Sequence, residues 1–163
     1  MTQLFSFPNP VNEKAARVVA AGVVLLTALA LIPGMTWLAL PIAVGFLLRV
    51  AAGPRFSPLG LLATRVIAPR LGTPKLVPGP PKRFAQAIGA TLSTAAAVAH
   101  LGFGATGPAR ALLAMILLAA LLESAFALCL GCVLFGRLMR AGIISADICR
   151  ACQEVGLRYG QNG

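Results

Sequence analysis

Four cysteines carry the most specific chemical signal in the sequence. Cys129 and Cys132 form CLGC, Cys149 and Cys152 form CRAC, and together they give C-x2-C-x16-C-x2-C. This falls within the spacing of zinc sites in soluble proteins. Either pair also has the spacing of a dithiol that cycles with its disulfide or passes sulfur onward. A third alternative is packing alone, since cysteine serves as a small hydrophobe in buried helices. If Ser145 caps a short helix in the tail, Cys149 sits in its first turns beside Arg150. A helix N-terminus and a cation both lower a thiol pKa, so the tail pair is expected to hold the more reactive thiolate, with Asp147 and Glu154 working against it. Cys129 and Cys132 are expected on one face of the last long helix, with Arg137 about two turns further on.

Glu123 lies inside the same apolar run and is expected near the middle of a membrane crossing. An ionisable residue there costs at least ~2.5 kcal/mol, so a functional role is the default hypothesis. Its expected partner is His100, the single histidine. Helical rise places the two within roughly 5 Å of one depth. Ser93, Thr94 and Ser124 offer further hydrogen-bonding groups. The set reads either as a proton relay or anion point beneath the thiols, or as a neutral glutamic acid holding two helices together. The sequence has no glycine-rich phosphate loop, HExxH, nucleophile elbow or CxxCH haem site. With four acidic residues, hydrolase machinery is not expected.

The elements that must position these groups are helices in a bilayer. Of the 163 residues, 58% are hydrophobic and 11% charged, against about 45–50% and about 25% in soluble domains. The net charge of +10 is scattered between apolar runs and accompanied by few aromatics. That pattern does not fit a nucleic-acid interface, and nucleic acid is not an expected partner. It does fit the flanks of membrane spans.

Pro8 and Pro10 keep the N-terminal arm extended, and Asn12 is placed to cap a helix with Glu13 in its first turn. Two apolar runs, broken at Pro33-Gly34 and ending at Arg49, read as a helical hairpin. Each uncharged core is about 15 residues, short of the ~30 Å hydrocarbon layer, and snorkelling of Arg17 and Arg49 would make up the difference. A re-entrant hairpin is the competing reading. Ala28-Leu29-Ala30 resembles a signal-peptidase site, but Glu13 precedes it and a second apolar run follows, so the segment is read as a retained helix.

A basic connector follows, carrying Arg55, Arg65, Arg70, Lys75, Lys82 and Arg83. Within it, SPLGLLATRVIAPR places Leu59, Leu62 and Val66 at the spacing of an amphipathic surface helix. The next stretch, TPKLVPGPPKR, is expected to be non-helical. In the third crossing Ala85, Gly89, Ser93 and Ala97 form a small-residue ridge for close packing, within one chain or in a homo-oligomer.

The expected fold class is therefore all-α integral membrane. Four transmembrane helices in two hairpins span about 12–32, 35–52, 83–103 and 108–138, in a single domain over 1–163. The cytoplasmic amphipathic connector covers 53–82, and the tail over 141–163 holds a short C-terminal helix. With both termini inside, only Arg110 among the Lys and Arg residues lies at the outer face. The positive-inside rule then gives N-in/C-in, multi-pass, in the plasma membrane. Both CxxC pairs then face a reducing compartment, where a permanent disulfide is not expected.

Several segments carry a family resemblance: FPNPVNE, RFSPLGLL, PPKRFAQAIG and FALCLGC. Over roughly residues 5–155 the chain resembles the DUF4395 family of small bacterial membrane proteins, and its Ala/Val/Leu-rich style is similar to that of actinobacterial proteins. The matching positions are Asn9, Pro10, Asn12, Glu13, Arg55, Ser57, Pro58, Cys129 and Cys132. Cys149 and Cys152 have no counterpart in that pattern. The resemblance implies an integral membrane protein, often encoded near thioredoxin-like proteins and rhodanese-type sulfurtransferases, and implies no established activity. The expected function is a membrane component of thiol–disulfide or sulfur handling, including transport of a small sulfur species. Its partners would be the bilayer and a soluble thioredoxin-like or rhodanese-type protein. The alternative is a non-catalytic scaffold whose Cys129, Cys132, Cys149 and Cys152 bind zinc or another thiophilic metal.

Overall fold

A computed structural model describes residues 10–145, almost all of them helical. The first helix, α1 (Glu13–Ala30), starts where its residues dictate. The Asn12 side chain accepts from the Lys14 amide at 3.0 Å, and Glu13 occupies the first turn. Residues 31–35 turn the chain, and a 3-10 turn (Thr36–Leu38) leads into α2 (Ala39–Ala52). The connector forms α3 (Pro58–Leu61), with Ser57 as its cap and Pro58 at its start. It continues as π and 3-10 turns to Leu71.

The connector buries its small residues and leaves Leu62 and Val66 outside, the arrangement that an apolar face on a membrane surface requires. Gly60, Ala63 and Ala68 pack inward. Small residues win the inward face because the chain runs close to itself there. A Cβ on Gly60 would lie 2.7 Å from backbone atoms of Pro54.

The return from the connector is stitched to the N-terminal arm. Two short strands, β1 (Val11–Asn12) and β2 (Leu76–Val77), pair antiparallel with Val11 opposite Val77. Lys75 bonds Glu13 at 3.0 Å, and the Lys14 ammonium reaches the Leu71 carbonyl at 2.7 Å.

The third long helix, α4 (Gly79–Ala97), begins earlier than expected and ends in a π turn (Val98–Gly102). Gly79-Pro80-Pro81 is already helical. Proline is tolerated in a first turn, where its missing N–H has no intrahelical partner to lose. Starting the helix here brings Lys82 inside it.

The last apolar run is two helices rather than one. Helix α5 (Thr106–Phe126) stops at Ala127, which takes a left-handed conformation (φ 56°), and α6 (Leu130–Arg140) starts after Cys129. Left-handed backbone is costly for alanine, and it is held here from outside the helix. Arg17 of α1 donates to the Ser124 carbonyl at 3.1 and 3.0 Å and to the Ala125 carbonyl at 3.2 Å. A cation thus satisfies the end carbonyls of α5.

Helix α1 packs on α5, and α2 packs on α4. The ridge of α4 serves packing within the chain. Gly89 receives Phe46 of α2, and Ala85 touches Gly131 of α6. Outside this core, Leu40 and Leu47 on α2 and Met115 and Leu118 on α5 are exposed. Among the described residues, three helices are long and apolar enough to cross a membrane, over Thr36–Leu71, Gly79–Gly102 and Thr106–Phe126. Helix α1 is apolar beyond its first turns but carries Glu13, Lys14 and Arg17.

Candidate functional site

The break between α5 and α6 creates the candidate site. Because α5 ends at Phe126, Glu123 stands in its last turn at the end of the bundle, away from the middle of a crossing. Its partner is the Lys82 ammonium from the first turns of α4, in a short ion pair. The Lys82 side chain is 9% exposed and that of Glu123 15%. His100 is at the other end of α4, where its Nδ1 meets Thr106 Oγ1 at 3.3 Å. The expected Glu123–His100 pair is therefore not formed. It rested on one unbroken last helix, and the break moves Glu123 to the opposite end of the bundle from His100. Ser93 bonds the Gly89 carbonyl of its own helix at 2.6 Å, and Ser124 bonds the Leu121 carbonyl at 3.2 Å, so neither reaches Glu123. Thr94 is exposed.

Cys129 is the N-cap residue of α6, and Cys132 is three positions on, in its first turn. Both thiols are free. The neighbouring Cys132 thiol is the main cause that holds the Cys129 thiol below its ordinary range. The nearby Lys82 charge acts in the same direction, while burial and Glu123 oppose it. Cys132 is pushed up in turn by Cys129, and burial adds to the shift. The exposed amides of a helix N-terminus favour an anion at Cys129 as well. The helix-end and cation reasoning applied to Cys149 in the sequence thus describes Cys129. Cys149 and Cys152, with the tail helix expected to begin near Ser145, lie outside the described residues.

Cys129 is 7% exposed and Cys132 more so. Both line an open groove of about 400 Å³ together with Lys82, Pro78, Pro81 and Leu128. Behind Cys129, a second cavity of about 250 Å³, mostly apolar, runs between the helices past Glu123, Gln86 and Ile116. Cys129 therefore stands between an outward-facing groove and the bundle interior. Gly131 is what allows α6 to lie there. A Cβ on it would sit 2.5 Å from Ala85 Cα. The ring of Phe135 meets Phe84 with centroids 5.6 Å apart and anchors the same contact.

Sequence reasoning missed three participants. Lys82 was counted as connector charge, yet it enters the site. Arg17 was read as a snorkelling residue, yet it caps α5. Arg49 is 6% exposed, bonds Gln86 Oε1 at 2.9 Å and Ser57 Oγ at 3.1 Å, and stacks 4.5 Å from the Phe46 ring centroid. For Arg17 and Arg49 the available signal was a basic residue at helical spacing among apolar neighbours; Lys82, in the proline-rich PGPPKR stretch, carried no such signal. Among the described residues no three metal-ligand side chains cluster, and a four-cysteine zinc site would need the tail pair.

No curated protein and no solved structure matches this chain. One family model does, over residues 11–140, which include the strand pair, the six α-helices of the described residues and the CLGC segment. By that match the chain belongs to the family described as Domain of unknown function (DUF4395).

Proposed function

We propose that the protein is a membrane-embedded dithiol that carries out thiol–disulfide exchange at its basic face. The observation that supports this best is Cys129 at the N-cap of α6, three residues before Cys132 and with Lys82 on the same open groove. A thiolate is the species that attacks a disulfide, and this environment favours one. In the forward step, the Cys129 thiolate attacks a sulfur of a partner disulfide. The partner's S–S bond breaks, and the leaving thiolate takes a proton. Cys132 then loses its proton and attacks Cys129, releasing the partner's second thiol and leaving Cys129–Cys132 oxidised. Two electrons pass to the partner, and the reverse sequence recharges the dithiol. A thioredoxin-like protein supplies the partner chemistry. A persulfide on Cys129, formed when its thiolate takes the outer sulfur of a donor persulfide that leaves as a thiol, would be resolved by Cys132, which attacks the Cys129 sulfur, expels sulfide and closes the Cys129–Cys132 disulfide. Lys82 stabilises the Cys129 anion, and Glu123 fixes the ammonium next to it.

In this proposal the chain crosses the bilayer four times, N-in and C-in, with the thiols at the cytoplasmic face. Helix α1 gives ~27 Å of helix, close to the hydrocarbon thickness, and exposes Leu25 and Leu29. Helix α6, at ~16 Å, is too short to cross and is taken as interfacial.

Trapping tests the exchange. With C132S, Cys129 should retain a mixed disulfide with a thioredoxin-like partner, visible as a mass adduct that dithiothreitol removes. C129S should give none. Adducts confined to Cys149 or Cys152 would contradict the assignment to this pair.

A further inference from the structure

We infer a second binding site, for a small oxoanion, in the cleft between the ends of α1, α2 and α4. This cleft of about 170 Å³ has mostly apolar walls, into which Asn12, Arg49, Thr64, Lys82 and Gln86 bring polar groups. A single water needs ~10–15 Å³ on the same measure, so a tetrahedral anion fits with water to spare.

Charge carries the inference. Arg49 and Lys82 are 6% and 7% exposed. The carboxylate near both is the half-buried Glu123, and it is bonded to Lys82. Among the described residues, Arg49 has no carboxylate within ion-pair distance. Its bonds go to an amide oxygen and a hydroxyl, both neutral. With the Cys129 thiol protonated, Arg49, Lys82 and Glu123 together carry one positive charge in excess. A buried cation without a counter-charge is expensive, and more so in a segment apolar enough to lie in a bilayer. Donors around the cleft suit an anion. The Arg49 guanidinium has capacity beyond its two bonds, and the Gln86 and Asn12 amide nitrogens are donors on the same walls. A planar guanidinium beside amide donors is the chemistry that binds sulfate, phosphate or thiosulfate. The phosphate of an anionic lipid headgroup presents the same oxygens. The cleft opens apart from the thiol groove, and Lys82 lines both.

The test uses Gln86→Glu, an isosteric change that places a carboxylate on Arg49 and supplies the missing counter-charge from within. Full-length protein in zwitterionic detergent is titrated with sodium sulfate against sodium chloride at matched ionic strength, by calorimetry and thermal unfolding. A parallel titration uses short-chain phosphatidylglycerol. Wild type should bind one oxoanion per chain, saturably, with a rise in Tm. Saturation by sulfate identifies a free oxoanion, and saturation by the lipid alone identifies a headgroup phosphate. Q86E should weaken that binding at least ~10-fold while its ligand-free Tm equals or exceeds that of wild type. Absence of saturable binding in both titrations would overturn the site. So would undiminished binding by Q86E, or failure of Q86E to fold, because the carboxylate should satisfy the same buried charge.

Discussion

At the scale of single residues, the site depends on the charges around Cys129. Lys82 favours its thiolate and Glu123 disfavours it, so removing each should act with opposite sign. Lys82→Met raises the Cys129 pKa. At neutral pH a smaller fraction is then thiolate, and alkylation by iodoacetamide slows several-fold. Glu123→Gln lowers the pKa and speeds the same reaction. In wild type the rate should climb with pH through a midpoint below that of an ordinary cysteine, while Cys132, pushed up, stays slow. Peptide mapping by mass spectrometry, in a C149S/C152S background, reads each thiol separately. Equal rates in K82M and E123Q would contradict this electrostatic arrangement.

At the scale of elements, the decisive feature is the break after Phe126, and it was the least legible from sequence. The start of α1 was readable because Asn12 and Glu13 act locally. The connector helix was readable from Ser57-Pro58, and the ridge on α4 from its four-residue spacing. No glycine or proline marks the end of α5. The stop comes from Arg17, 107 residues away from the carbonyl it caps, and hydrophobic periodicity contains no such information. Once that stop is missed, Glu123 is misplaced by depth, His100 becomes its apparent partner, and the CLGC thiols fall inside a helix instead of at the start of one. Arg17→Met should release the α5 end and cost about 1–3 kcal/mol through unsatisfied carbonyls. Hydrogen exchange should speed over residues 122–132 before the rest of the bundle responds. Gly131→Ala should cost a similar ~1–3 kcal/mol by overpacking against Ala85 and should detach α6, lowering the Tm and exposing Cys129 to bulky maleimides. Unchanged thiol access in G131A would mean that α6 is not held by this contact.

At the scale of the whole molecule, charge and apolar surface divide cleanly. The turns at one end carry Arg110. The other end carries Lys14, Arg17, Arg49, Lys82 and the connector arginines, together with the thiols. This asymmetry was legible because it needs only composition and the positions of apolar runs. By the positive-inside rule a tag at Gly163 should be inaccessible in intact cells and reactive after permeabilisation. Labelling in intact cells would reverse the orientation and move the dithiol to an oxidising compartment.

The central claim is that Cys129 and Cys132 form a redox couple, and a redox titration tests it most directly. Purified full-length protein is equilibrated across thiol–disulfide buffers and quenched with acid. The state of each cysteine is then counted by mass spectrometry, with bound zinc measured in the same sample. The expected result is a Cys129–Cys132 disulfide that appears and disappears as one two-electron transition. Thiols that stay reduced at every potential, or one zinc per chain with all four cysteines unreactive, would contradict it.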